Sequence, residues 1–325
     1  MKKIFVVIVV LFLFQAGVPI VAADFPPFTE YIVVDGTRIK LDDGLDLSSK
    51  DLRGITIHYY NANKENIILL ENIDFSGSNL DGANIGLTEF DRSSFRGAKL
   101  TNMEGLTLLG NNDLTDAEIE NVGYLTITGN RLIVTAPFQR KALRGIRFGV
   151  CPLQNVDFSG FDFQKVNFGE AILNGCNFTD AVIGEGCILG SSVAVNSHQR
   201  GMLYEQLQTT KSYKEGKLIN VSLNLTWPEG LANFSKMNLT GCYFGSGGTY
   251  SHVPHVRGIS DERSGWSVNC QLDITDSVIT DCGFIDFKGL TLENIKSTWN
   301  YKHGRMEGIK LPEEIQKALD AEKEQ

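Results

Sequence analysis

From Ile146 to Ile188 a large apolar residue falls at every fifth position: Phe148, Leu153, Phe158, Phe163, Phe168, Leu173, Phe178, Ile183 and Ile188. Two places before each stands a second, mostly small or apolar residue: Ile146, Cys151, Val156, Phe161, Val166, Ala171, Cys176, Ala181 and Gly186. The other positions are mainly Asp, Asn, Ser, Thr, Gly and Lys. A period of five fits neither the helix repeat of about 3.6 nor the strand repeat of two, so the pattern predicts a repeat architecture. A chain that turns a corner every five residues sends its central and small positions inward, to the axis of a coil. Successive coils can then pair their backbones about 4.8 Å apart. One coil cannot bury its own apolar residues, so stability comes from stacking neighbours.

The count extends to both sides. Leu47, Leu52 and Ile57 make a short run that breaks at His58-Tyr59-Tyr60-Asn61. It resumes at Leu70 and runs through Phe75, Leu80, Ile85, Phe90, Phe95 and Leu100, then Leu109, Leu114, Ile119 and Tyr124. Leu125 to Phe138 is degenerate. The fives return at Phe234, Leu239 and Phe244, and again at Ile274, Ile279 and Phe284. Gly201 to Leu218 keeps its own spacing, which recurs 88 residues later (289 − 201): Gly201 aligns with Gly289, Thr210 with Thr298, and Tyr213-Lys214 with Tyr301-Lys302. Each copy predicts a short helix and a return to extended chain, with Leu203, Leu207 and Thr210 on one face of the first. Asp24 to Lys40 reads as an extended cover for the first coil, with a strand at Tyr31–Val34 and a turn at Asp35-Gly36. Leu311-Pro312-Glu313-Glu314 opens a helix whose stripe Ile315, Ala318 and Leu319 would cap the last coil.

Asn155-Val156-Asp157-Phe158-Ser159-Gly160 and Gly175-Cys176-Asn177-Phe178-Thr179-Asp180 resemble the A(D/N)LXX unit of the pentapeptide-repeat family. The resemblance implies a right-handed quadrilateral β-helix, with five residues to a side and four sides to a coil. The expected fold is an all-β solenoid with short helical interruptions. Its parts are a signal peptide (1–23), an extended N-terminal cap (24–46), a β-helix (47–288) interrupted at 191–217 and 245–269, and a helical C-terminal cap and tail (289–325). The helical punctuation is similar to that of some exported bacterial members of unknown function.

Lys2-Lys3, the apolar run Ile4–Phe14, Pro19 and Val21-Ala22-Ala23 have the parts of a secretory signal, with cleavage expected before Asp24. The competing reading is an uncleaved anchor, since Ile4 to Ala23 is long enough to span a bilayer. Cleavage would take the formal charge from −9 to −11, with 28 basic against 39 acidic side chains. An acidic exported chain is poorly suited to nucleic acid, which demands a basic surface. Six cysteines in such a chain invite a disulfide reading. Cys151, Cys176, Cys242 and Cys282, however, hold the small position, so buried thiols are expected there. Cys187 and Cys270 are the other two, and Cys270 stands beside a loop.

The candidate chemistry is sparse. His252 and His255 are a close pair that could ligate a metal with Asp261 or Glu262. Pro254 breaks any helical pairing, and zinc sites usually take three or four protein ligands. No metal site or cofactor is expected, and the segment reads as a solvated loop. Asp74, Asp157, Asp162, Asp273 and Asp286 flank central residues, where Asp and Asn can bond nearby amides. Trp266, Tyr250, His252 and His255 in the 246–268 loop are the candidate partner contacts, and no catalytic residue is assigned. Trp299 is expected to pack the second helix on the tube.

The leading functional expectation is an exported, non-enzymatic scaffold in the bacterial periplasm or outside the cell. Its partner would be an unknown protein or envelope component, with no stable membrane span after cleavage. The resemblance also implies an alternative, an acidic DNA mimic that blocks topoisomerase. The export signal and the charged ending Asp320–Gln325 count against it. A metal-binding or enzymatic protein using the 246–268 loop is the third reading.

Overall fold

The structure is a computed structural model that describes residues 31–34, 37–40, 44–57, 69–85, 88–108, 110–190, 201–228, 230–245, 270–285, 287 and 289–323. Short parallel rungs stack along one axis. Leu69–Glu71 pairs with Glu89–Asp91, a step of twenty residues (89 − 69), or four sides of five. The same step joins Asp74 to Ser94, Arg147 to Asn167 and Asp157 to Asn177. The chain is thus a β-solenoid, as its period demands.

The central positions fill the tube. Phe148, Phe158, Phe163, Phe168 and Phe178 are fully buried. Rings in successive coils stack, with centroids 5.2 Å apart for Phe158–Phe178 and 5.5 Å for Phe148–Phe168. Rings on adjacent sides meet edge to face, as Phe158 and Phe163 do at 5.8 Å. Burying such a side chain contributes about 1.5–3 kcal/mol. The small positions carry a second device. Cys176 Sγ donates to Leu153 O at 2.9 Å, Cys242 Sγ to Leu218 O at 3.3 Å and Cys282 Sγ to Leu239 O at 2.8 Å. Ser277 Oγ does the same to Phe234 O at 2.5 Å. All six cysteines are free and buried.

The structure shifts the expected register in two places. Ile188 is only half-buried, and Leu189 and Cys187 take the interior instead. The turn Gly184-Glu185-Gly186 holds one residue more than a plain corner, so the side from Ile183 to Leu189 is six long. Likewise Tyr124 stands 37% exposed while Val122 and Leu125 are buried. The Tyr124 ring lies over Gly149, where an added Cβ would sit 2.5 Å from it.

The stretch from Leu125 to Phe138, degenerate in sequence, is ordered. Leu125–Ile127 is a strand paired with Leu106–Leu108. It is followed by two one-turn helices, α1 (Gly129–Leu132) and α2 (Ala136–Gln139). The aligned segments Gly201–Leu218 and Gly289–Met306 also hold two helices each rather than one. These are α3 (Tyr204–Thr209) with α4 (Lys211–Lys214), and α5 (Leu292–Ser297) with α6 (Trp299–Lys302). Tyr204 and Leu207 form the buried face of α3, while Leu203 is its half-buried N-cap. Helices this short are not stable alone; the tube holds them.

At the N-terminal end Tyr31–Val34 and Thr37–Lys40 form an antiparallel hairpin, with Ile39 packed on the core. At the other end α7 (Glu313–Lys323) buries Ile315 and Leu319 against the core, and Lys296 Nζ meets Glu322 Oε1 at 2.5 Å. Among the described residues no helix is long and apolar enough to cross a membrane.

Candidate interaction surface

Three helix pairs share one design. Each has a buried apolar residue three places before a buried threonine: Leu132 and Thr135, Leu207 and Thr210, Ile295 and Thr298. In every pair the threonine Oγ1 donates to that apolar residue's carbonyl at 2.7 Å. Thr210 and Thr298 also accept the Tyr213 and Tyr301 N–H, which caps α4 and α6. The following residue donates to the coil above: Ala136 to Ala117 O, Lys211 to Ala181 O, and Trp299 to Ser277 O. The residue before the threonine accepts from Asp116, Asp180 or Asp276, each at a φ of 58 or 59°.

These bonds place all three pairs at one corner of the tube. Down that corner the ladder runs from Ala117 to α2, then through Phe161 and Ala181 to α4, then through Met237 and Ser277 to α6. Two coils without a helix pair separate each pair from the next, so the pairs recur every third coil, about 14 Å apart at the usual strand spacing. Each pair stretches one side from five residues to eleven, counting from Leu132 to Leu143, Leu207 to Leu218 and Ile295 to Met306.

The ridge carries cations that reach acids of the preceding coil. Arg140 pairs with Glu118 at 2.7 Å, Lys214 with Asp180 at 2.8 Å and Lys302 with Asp276 at 2.6 Å. The bond to Arg140 holds the Glu118 carboxyl below its usual range, and Lys302 does the same to Asp276. Trp299 does not pack the helix onto the tube. It stacks on His303 at 4.3 Å, and Ile295 and Tyr301 make the core contact instead.

A second feature is the footing of the 246–269 segment. Trp227 stacks on Phe244, meets Phe287 edge-on at 5.1 Å and donates its indole N–H to Gly245 O at 2.9 Å. A Cβ on Gly245 would fall 1.9 Å from Asn224 Oδ1, so any larger residue there would have to displace the Asn224 side chain. The chain returns at Cys270, whose strand Cys270–Asp273 pairs with Gly230–Asn233. Asn233 is locked in turn: its N–H donates to Tyr204 Oη at 2.8 Å, and Tyr213 Oη donates to its carbonyl. Burial pushes the Tyr204 phenol pKa up. Leu231, 57% exposed, lies on the strand that receives the returning chain.

Trp266, Tyr250, His252 and His255, with Asp261 and Glu262, lie outside the described residues, as does the apolar run Ile4–Ala23. The carboxylates flanking central residues serve the corners. Asp157 Oδ1 accepts from Ser159 N at 3.0 Å, and Asp74 and Asp273 do the same two residues on. Asp162 instead pairs with Arg144, and Asp286 is outside the described residues. Asn177, Asn233 and Asn238 make the same turn to Thr179, Ser235 and Thr240. Burial raises the thiol pKa of Cys151 and Cys242 to about 12 and of Cys176 and Cys187 to about 11. None of these four is placed as a nucleophile.

The profile of the family described as Pentapeptide repeats matches residues 69–102 and 151–182, with eight copies. These two stretches are pentapeptide repeats. No curated protein matches the chain. Among solved structures it is similar to HetL, a pentapeptide repeat protein involved in heterocyst differentiation regulation from the cyanobacterium Nostoc sp. strain PCC 7120. That match has 13% identity and a TM-score of 0.22, and covers 76% of this chain and 92% of HetL. It is also similar to QnrB1, a plasmid-mediated fluoroquinolone resistance protein, at 15% identity and a TM-score of 0.20, covering 84% of this chain and 96% of QnrB1. Such low scores carry no argument about function. The β-solenoid fold of this chain rests on its own rungs and on the repeat match.

Proposed function

We propose that this chain is an exported, non-enzymatic pentapeptide-repeat scaffold that presents a rigid rod and the 246–268 loop to a protein or envelope partner, in the periplasm or outside the cell. The observation that carries the reading is the footing of that loop. Trp227, Asn224 and the paired strands Gly230–Asn233 and Cys270–Asp273 fix both its ends on a packed core. A segment of this length without an apolar period, held on a rigid frame, is a common site of function. Export rests on the charged, apolar and small-residue parts of residues 1–23.

The test uses mature protein beginning at Asp24, with and without residues 246–268, as bait against envelope and secreted fractions. A partner captured by the intact form alone supports the proposal, and equal capture by both forms moves the contact to the rod. Mass measurement of the protein from the producing cell checks export separately. An N-terminus at Asp24 supports it, and a retained Met1–Ala23 in the cytoplasm refutes it.

A further inference from the structure

We draw no further inference here: the strongest candidate, the ridge of helix pairs that recurs every third coil along one corner of the tube, carries nothing because its cations Arg140, Lys214 and Lys302 are already paired with acids of the preceding coil and nothing in the structure shows what covers it.

Discussion

Two ways of turning a corner stand side by side in this tube. At Phe158-Ser159-Gly160-Phe161 the chain turns with a left-handed glycine and a bond from Phe161 N to Phe158 O at 3.3 Å, and the side stays five residues long. At Leu207 to Leu218 it spends eleven, winding α3 into α4 around Thr210. The plain corner draws its stability from rings above and below. Phe158 meets Phe138, Phe161, Phe163, Phe168 and Phe178. The helical corner puts Leu207 in the stack, sets Tyr213 against Phe234 at 5.7 Å, and closes the rest with the buried hydroxyls of Thr210 and Ser212 and with backbone bonds. The difference teaches that the tube accepts corners of different length because the first and last residues of each still meet the neighbouring rungs.

Four measurements would break or sharpen that contrast. The largest effect is expected from Phe158→Ala, which empties the most crowded part of the core and should cost about 3–5 kcal/mol in denaturant unfolding. Leu207→Ala should cost less, near the low end of about 2–5 kcal/mol. If Leu207→Ala proved the worse of the two, the helical corner would be the stronger element. Next comes Gly241→Ala. Its φ is +68°, and the new Cβ would lie 1.9 Å from Asn220 Oδ1, so strain and clash together should cost about 2 kcal/mol. Asn220→Ala in the same chain should recover part of that loss; no recovery would mean the clash contributes nothing.

Third, Thr298→Val keeps the shape but leaves Ile295 O and Tyr301 N without the hydroxyl, a loss of about 1–3 kcal/mol. Thr135→Val should cost less, because Thr135 donates to Leu132 O but makes no side-chain cap bond. Equal costs would remove the cap from the account. The smallest effect belongs to Cys242→Ser, since Ser277 already fills the same kind of position with the same kind of bond. At neutral pH the change should stay under about 1 kcal/mol. At alkaline pH the two proteins should part. The thiol's folded pKa is raised from 9.0 to about 12, so its contribution is complete below pH 9 and is lost as the pH climbs towards 12. Unfolding midpoints taken across that window should fall more steeply for the wild type than for the serine variant.

The plain coils were legible because each side repeats one requirement: a large residue in the axis and a small one before it. Where a turn took one extra residue, at Glu185 or Tyr124, counting in fives named Ile188 and Tyr124 while the interior chose their neighbours Leu189 and Leu125. The helical corners were half legible. Two copies stood out because their tyrosines and lysines align. The third was hidden because Phe138 and Gln139 replace that Tyr-Lys pair, while the shared signal is thinner, an apolar residue, two others and a threonine. That signal has a reason only once the threonine is seen to close onto the leucine carbonyl. The candidate partner contacts in 246–268 had no such periodic requirement, and the described coil fixes only the chain on either side of them.

The eleven-residue sides have a mechanical consequence. A rod pulled from its two ends releases chain as each coil leaves its neighbour, and a plain coil gives up four sides of five. A coil with a helix pair hides six more residues in one side (11 − 5), or about 20 Å of extra contour at the reach of an extended chain. In a force–extension trace each helix-pair coil should lengthen its step by that amount, and the coil whose rungs Asn238 and Val278 lie forty residues apart should give a longer step still.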